Sequence, residues 1–177
     1  TNYQGQLLEH IISDLPLMDN ISKLQIVQER HLLAESGMIS YSSLIPLVSL
    51  LSQETSYLVN SAIKSVIDGL SLFVQEDSQD EFDFKEFVNK LSAFNFNRLG
   101  FEKREGEGDD SEMVRHLSLS LALYSDNEHA IEEAHHIFKA HENNIAAIPA
   151  AIRLLVLTNE MKHFESKDRK STRLNSS

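Results

Sequence analysis

The sequence contains no cysteine, and it has only three prolines and six glycines among its 177 residues. The absence of cysteine excludes a disulfide-stabilised scaffold and a thiolate metal site, and it fits a reducing, cytoplasmic compartment. The scarcity of proline and glycine, together with 41% hydrophobic residues, indicates a globular helical protein with enough chain for a core of its own.

Basic residues are also scarce. Sixteen lysines and arginines stand against 27 acidic residues, which gives a formal net charge of −11. Nucleic acids and anionic membranes both require a basic surface, so neither is predicted as a partner. No apolar run approaches the roughly 20 residues of a membrane-spanning helix. The chain opens at Thr1 without a methionine or a visible signal peptide, and this start predicts a piece of a longer protein.

Residues 168–177 differ in composition from everything before them. They read DRKSTRLNSS, without apolar periodicity, and they match one translated frame of a common sequencing adapter. We therefore predict that residues 1–167 are native protein, truncated at both ends, and that the tail is translated adapter with Leu174 exposed. The tail carries a net charge of +2, so the native part would carry −13. A disordered basic tail is the alternative.

Apolar residues recur at three- and four-residue spacing along nearly the whole chain, and strand-like alternation is scarce. This pattern predicts about eight α-helices between residues 4 and 165. We place them at residues 4–15, 22–37, 41–51, 56–73, 80–98, 111–124, 127–140 and 149–164.

Several residues are expected to set the limits and faces of these helices. Pro16 should end the first helix and Ser22 should cap the second, while Asp80 or Asp83 should open the fifth. The residues expected to face the core from the second helix are Leu24, Val27, Leu32 and Leu33. The connections are mostly short, which favours antiparallel neighbours. The predicted fold is therefore all-α, with antiparallel helical hairpins stacked as a degenerate HEAT/armadillo-like solenoid whose ends are apolar.

The most informative segment spans residues 97–138. It contains a Leu99-Gly100-Phe101 corner, an acidic loop, an arginine-bearing helix with Arg115 and a helix that ends near Phe138. Gly100 should end its helix with a positive φ angle. Leu99 and Phe101 should be buried, because the polar loop that follows needs an apolar anchor.

In order and spacing, these elements resemble the helical C-terminal domain of the aminopeptidase N family of zinc aminopeptidases. An LGW or LGF corner, an "EGE" loop, an arginine-bearing helix and an A-x-x-x-F helix recur there. Upstream, Glu54 and Tyr57 match the family's Glu-x-x-Tyr pair, and the resemblance covers about residues 1–165. Two places depart from the family pattern. Asn60 stands near a position where many members have tryptophan, and Lys23 follows Ser22 where an Asp-Arg pair is usual.

The resemblance implies that the parent protein is a bacterial metallopeptidase, a hydrolase that removes N-terminal residues from peptides. Its Zn²⁺ would be held in a separate domain of the same chain, and this helical domain would enclose the active site and restrict access. The implied partners are that catalytic domain and peptide substrates. The family's Gly-x-Met-x-Asn loop and His-Glu-x-x-His helix are absent here, and the nearest match, which starts at His141, has Ile145 in place of the second ligand. We therefore assign no catalytic, cofactor-binding or metal-binding residue and expect this part alone to be inactive.

Four other interpretations can be weighed against the sequence. The first is a free-standing α-solenoid adaptor that binds protein partners. The second is a di-iron centre, because Glu132/His135 and Glu160/His163 have the required i, i+3 spacing. We disfavour it, because Glu132 and His135 should face solvent. The third is a calcium-binding EF-hand loop that ends at Glu86. We reject it, because its first ligand position and its glycine position do not carry the residues that calcium coordination requires. The fourth concerns the acidic loop at residues 102–112, which is either solvated or docks onto another domain.

Overall fold

A computed structural model of the chain describes the backbone of residues 6–164 and the side chains of residues 10–164. Eight α-helices occur in this range: α1 (Gln6–Asp14), α2 (Asn20–Glu35), α3 (Ile45–Leu50), α4 (Tyr57–Ser71), α5 (Gln79–Leu99), α6 (Asp109–Tyr124), α7 (Glu128–His141) and α8 (Ala150–His163). Short 3-10 turns lie at Leu15–Leu17, Tyr41–Leu44 and Ile145–Ala147. No strand is found within the described residues, so the all-α prediction is confirmed for them. The tail with Leu174 lies outside that range.

The start of α2 corrects the sequence prediction. Asp19, and not Ser22, is its N-cap, because the Asp19 carboxylate accepts hydrogen bonds from the Ile21 and Ser22 backbone N–H groups at 2.9 and 3.0 Å. The Ser22 hydroxyl donates to the other oxygen of the same carboxylate at 2.7 Å. A carboxylate accepts hydrogen bonds from three donors here, so it displaces the serine as the cap.

The start of α5 is also set by an earlier residue than predicted. Ser78 is its N-cap and accepts a hydrogen bond from the Glu81 backbone N–H at 3.2 Å. Asp80 and Glu81 follow in the first turn, where negative charge is favourable at the positive end of the helix dipole. The acidic segment before Glu86 is thus a helix start.

The buried face of α2 differs from the prediction at one position. Val27 is fully buried and Leu24 is partly buried, but Leu32 is 62% exposed. A helix turns about 100° per residue, so Leu32 lies about 140° around the helix from Val27. The core-facing stripe instead continues to Ala34. The prediction that Leu32 faces the core was therefore wrong.

The helices pack around two apolar clusters. The first extends from the 3-10 turn at Leu15 to the middle of α5 and includes Leu121 of α6. The second lies between the end of α5 and α8. The hairpin partners α5 and α6 contact each other, as do α7 and α8. In addition, α2 contacts α4, α4 contacts α6, and α6 contacts α8. The even-numbered helices therefore form a continuous row, with α5 and α7 packed beside it.

A close contact on α4 leads to a first prediction. A Cβ atom added to Gly69 would lie 2.5 Å from Cε1 of Tyr41 and 3.1 Å from Nε2 of His31. Alanine is about 1 kcal/mol better than glycine inside a helix. Displacing the packed tyrosine ring should outweigh that gain, so Gly69→Ala should lower the free energy of unfolding by about 1–2 kcal/mol. Urea denaturation measures the change.

The matched control is Ser65→Ala, one turn earlier on the same helix, where the side chain is exposed. It adds helix propensity without a clash and should be neutral or slightly stabilising. If Gly69→Ala stabilises the protein as much as Ser65→Ala does, the close packing of Tyr41 on Gly69 is not a constraint.

Candidate functional site

The Leu99-Gly100-Phe101 corner ends α5 as predicted. Gly100 has φ 54° and ψ −158°, a conformation that is essentially restricted to glycine, and its backbone N–H donates to the Phe96 carbonyl at 2.8 Å. Leu99 and Phe101 are both buried, with Phe101 only 4% exposed. The Phe101 ring meets the Phe96 ring edge-on, with centroids 6.5 Å apart. The predicted burial of the corner and the positive φ of Gly100 are confirmed.

The corner packs against α6, α7 and α8. The second apolar cluster combines Phe96 and Phe101 with residues of those three helices. Phe138 is partly buried against this cluster, on the same face of α7 as the fully buried Ala130 and Ala134. The Phe138 motif position therefore serves the packing between α7 and the rest of the domain.

Arg115 joins the corner to the acidic loop. Its side chain is buried, and its Nε donates a hydrogen bond to the carbonyl oxygen of Leu99 at 3.4 Å. Leu99 is the last residue of α5, where no backbone N–H of the same helix is available to that carbonyl. The same guanidinium forms an ion pair with Glu107 of the loop. This hydrogen bond from Arg115 holds the pKa of Glu107 below its ordinary value of 4.5. Arg115 therefore anchors both the helix end and the loop.

A second ion pair holds the loop near its other end, where Lys103 contacts Glu112 at 2.6 Å. The loop is therefore more than a solvated connection, since Glu107 is largely buried against Arg115. The sequence indicated only apolar anchors for this loop. The six acidic residues of the loop were visible, but nothing in their spacing singled out Glu107 as the partner of Arg115.

Glu54 is the centre of a polar network between α2, α4 and α5. Its carboxylate pairs with Lys23 at 2.5 Å, with side chains 17% and 7% exposed. Its backbone carbonyl accepts hydrogen bonds from the side-chain amides of Asn60 and Asn95, both at 2.8 Å. Arg98 in turn donates to Asn95 at 2.9 Å.

The sequence did not predict this network, although it contained one hint. Lys23 and Asn60 are the two places where the chain departs from the resembled pattern, and both are members of the network. Lysine preserves the positive charge of the arginine that is usual at the first position. A retained charge indicates a fixed anionic partner, and Glu54 is that partner here.

Tyr57 begins α4, and its backbone is held by a different helix. The N-cap residue Ser56 makes no side-chain hydrogen bond. Instead, the carboxylate of Asp110, in the first turn of α6, accepts the Tyr57 backbone N–H at 3.2 and 3.3 Å. The Tyr57 position is thus a junction between α4 and α6, and both members of the Glu-x-x-Tyr pair contribute to structure.

The predicted environment of His135 on α7 requires a correction. His135 does not face solvent as predicted: its Nδ1 lies 2.7 Å from the Glu160 carboxylate, and its ring stacks on Phe164 with centroids 3.8 Å apart. The side of α7 that carries His135 packs on α8 through this polar contact. Because the contact involves no apolar residues at regular spacing, nothing in the sequence indicated that this side of the helix is covered. Glu132, by contrast, is exposed. In the part of the chain that the structure describes, no group of three or more histidine or acidic side chains is placed to hold a metal ion.

Asp126 connects the turn between α6 and α7 to two other helices. Its carboxylate accepts hydrogen bonds from Lys85 of α5 at 2.7 Å and from Lys162 of α8 at 2.6 Å. Burial alone raises the pKa of Asp126, but the hydrogen bonds from Lys162 and Lys85 outweigh burial and hold that pKa below 3.8. The residue has φ 56°, in the left-handed region.

The lowered pKa of Asp126 predicts a pH dependence. When folding lowers the pKa of a carboxyl group, that group stabilises the folded state at pH values above its pKa in the unfolded chain. This contribution is lost as the pH falls through the pKa of the group in the folded state. Thermal stability should therefore decline below about pH 4. Asp126→Asn, which tolerates the left-handed backbone, should lower the melting temperature near neutral pH and reduce the acid-induced decline.

Scans of melting temperature between neutral and acidic pH measure this effect. Asp14→Asn, at the exposed end of α1, is the control and should leave the pH profile unchanged. Part of the decline should persist in Asp126→Asn, because the pKa values of Glu81 and Glu107 are also lowered. An identical pH profile for Asp126→Asn and the unmodified protein would contradict the assignment.

Open grooves lie along the row of even-numbered helices. One groove of about 730 Å³ lies between α2 and α4. A second, about 510 Å³, lies beside the corner and is lined by Phe101, Arg115 and His116 among others. Smaller grooves of about 350 and 320 Å³ lie between α6 and α8.

Comparison with known proteins gives a family match and several curated relatives. The sequence model of a family described as the ERAP1-like C-terminal domain matches residues 1–172. The chain belongs to this family. The match covers all the described helices of the chain, and it ends within the tail that we predict to be adapter.

Three curated relatives of the chain share one name. The chain is 47% identical to Aminopeptidase N of Lactococcus lactis subsp. lactis over 167 residues, which are 94% of this chain and 20% of that protein. It is 39% identical to Aminopeptidase N of Lactobacillus helveticus, over 92% of this chain and 19% of that protein. It is 31% identical to Aminopeptidase N of Lactobacillus delbrueckii subsp. lactis, again over 94% of this chain and 20% of that protein.

The chain therefore spans about a fifth of the length of the relatives it matches, and it is homologous to the C-terminal region of aminopeptidase N. No solved structure matches it. Within residues 6–164, none of the helices combines the length and the apolar character that crossing a bilayer requires.

Proposed function

We propose that this chain is the non-catalytic helical part of a cytoplasmic zinc aminopeptidase that removes N-terminal residues from peptides. The observation that carries the proposal is 47% identity to Aminopeptidase N over nearly the whole chain but only a fifth of that protein. The zinc site and the general base would belong to another domain of the parent, which is the first expected partner. Peptide substrates are the second.

In this proposal the domain encloses the active site and limits which peptides reach it. The hairpins of α5 with α6 and of α7 with α8 would stack as a HEAT/armadillo-like solenoid. The row of α2, α4, α6 and α8 would face the enclosed space, because the grooves of 320–730 Å³ open along that row. The motif residues would act as structural supports: Glu54 and Tyr57 join helices, and Arg115 fixes the corner.

The complete reading frame of the gene tests the proposal directly. We expect a His-Glu-x-x-His helix upstream of Thr1, and we expect the native sequence to diverge from residues 168–177. A free-standing solenoid adaptor, the competing function, would show no such motif. A reading frame that encodes residues 168–177 directly after residue 167 would disprove the adapter assignment, but it would not affect the proposed function.

Activity assays then test the role of the domain. The full-length parent should hydrolyse short aminoacyl substrates and lose that activity to a chelator, while this chain alone should hydrolyse none. Substitutions that disturb the grooves should change the ratio of hydrolysis rates between long peptides and dipeptides. Equal effects on peptides of every length would contradict a role in limiting access.

A further inference from the structure

The groove between α2 and α4, which the proposed function treats only as part of the enclosed space, has features of a docking surface in its own right. Its apolar floor includes Val27 of α2 and Ala62 of α4, and one wall is formed by the ring of Tyr41. The volume of about 730 Å³ lies within the usual range of ligand-binding clefts. It is an open cleft and not an enclosed cavity, so an extended chain segment can enter it.

Large apolar side chains surround this groove and face solvent. Leu32 lines it from α2 and Leu72 lines it from the end of α4, where Leu72 is 82% exposed. Next to Leu72, the exposed ring of Phe73 contacts the Tyr41 ring with centroids 5.2 Å apart. Leu32 and Leu72 line the cleft and Phe73 lies beside it, and exposed apolar side chains grouped in this way mark interaction sites.

The groove is held in shape before anything binds. The Tyr41 ring packs directly over Gly69, where the space for a Cβ atom is already filled, and the Tyr41 hydroxyl lies 3.4 Å from Nε2 of His31. His31 and Tyr41 also meet edge-on, with ring centroids 5.8 Å apart. A preformed site avoids part of the ordering cost of binding.

The charges at the groove identify the chemistry of its occupant. Glu35 and Asp68 line it, and among the described residues no lysine or arginine does. Lys64 neutralises Asp68 from outside the groove at 2.5 Å, while the half-exposed Glu35 carboxylate lies 3.8 Å from His31. A second copy of this chain, with its net charge of −11, would be repelled, and so would a nucleic acid or an anionic membrane.

We propose that this groove binds a peptide segment in which a leucine or phenylalanine stands beside a lysine or arginine. The apolar side chain would enter between α2 and α4 beside Leu32 and Leu72, and the basic side chain would pair with Glu35. The proposal does not rest on the aminopeptidase function, because it needs no catalytic centre and no free peptide terminus.

Fluorescence anisotropy on the purified chain tests the proposal. The probe is the dye-labelled peptide Gly-Ser-Gly-Leu-Arg-Phe-Lys-Gly-Ser-Gly with both termini blocked. Saturable binding is expected, weakened by added salt. A peptide with glutamate in place of both basic residues should bind at least about tenfold more weakly, and so should one with serine in place of both apolar residues.

Two exposed leucines give matched variants. Leu72→Asp should weaken binding at least about tenfold, whereas Leu17→Asp, at an equally exposed position in the 3-10 turn after α1, should leave binding unchanged. Glu35→Gln should reduce both the affinity and its salt dependence. All three side chains are exposed, so the variants should keep the circular dichroism spectrum and the melting temperature of the unmodified chain.

Three results would overturn the proposal. The first is no saturable binding of the basic–apolar peptide by the folded chain. The second is equal loss of binding in Leu72→Asp and Leu17→Asp, which would indicate a nonspecific effect of added charge. The third is a dimer in sedimentation analysis that Leu72→Asp converts to a monomer, since a second copy would then occupy the groove.

Discussion

Phe101→Ala is expected to lower the free energy of unfolding by roughly 3–5 kcal/mol. Phe101 is 4% exposed and packs edge-on against Phe96 within the second apolar cluster. Truncation removes the ring and leaves a cavity between the end of α5 and helices α6–α8. The loss is a large part of the typical stability of a domain, about 5–15 kcal/mol, so the variant should melt at a much lower temperature or fail to fold.

Thermal denaturation followed by circular dichroism measures this effect, and Phe82→Ala is the control. Phe82 lies on α5, the helix that the corner ends, but it is 65% exposed, so its removal should change stability by no more than about 0.5 kcal/mol. Phe101→Leu, which keeps most of the apolar volume, should restore part of the loss. An unchanged melting temperature in Phe101→Ala would show that the corner is a surface turn with no role in packing.

The corner was predictable because its determinants are local in sequence. Gly100 is needed for a backbone conformation that other residues rarely adopt, and Phe101 is apolar beside a long polar loop. The helices were predictable for the same reason, because apolar spacing along one helix reports which side faces the core. Errors arose at helix starts, where Asp19 and Ser78 cap in place of the predicted residues. Several nearby side chains can each serve as a cap, and only the three-dimensional geometry selects one.

The polar contacts between helices were not predictable from periodicity. The pairs Arg115 with Glu107 and His135 with Glu160 join residues on different elements, and charged residues on a helix are ordinarily exposed. The sequence therefore placed His135 in solvent, although its ring stacks on Phe164. The row of even-numbered helices is likewise a result of packing, since its contacts join helices that are not adjacent in sequence.

The network around Glu54 gives the second large expected effect. Glu54→Ala should lower the free energy of unfolding by about 3–5 kcal/mol, because removing one partner of a buried ion pair leaves the other charge without compensation. The ammonium group that remains belongs to Lys23, whose side chain is only 7% exposed. The backbone carbonyl of residue 54 keeps its hydrogen bonds from Asn60 and Asn95, so the loss reports the side-chain pair alone.

A double-mutant cycle separates the pair from its surroundings. Lys23→Met alone leaves the Glu54 carboxylate, 17% exposed, without its 2.5 Å partner and should also destabilise the protein. Lys23→Met combined with Glu54→Ala removes both charges and should be much less destabilising than the sum of the two single variants. Urea denaturation of the four proteins gives the coupling energy. If the single effects simply add, the two side chains do not stabilise each other, and Glu54 acts in this domain only through its backbone carbonyl.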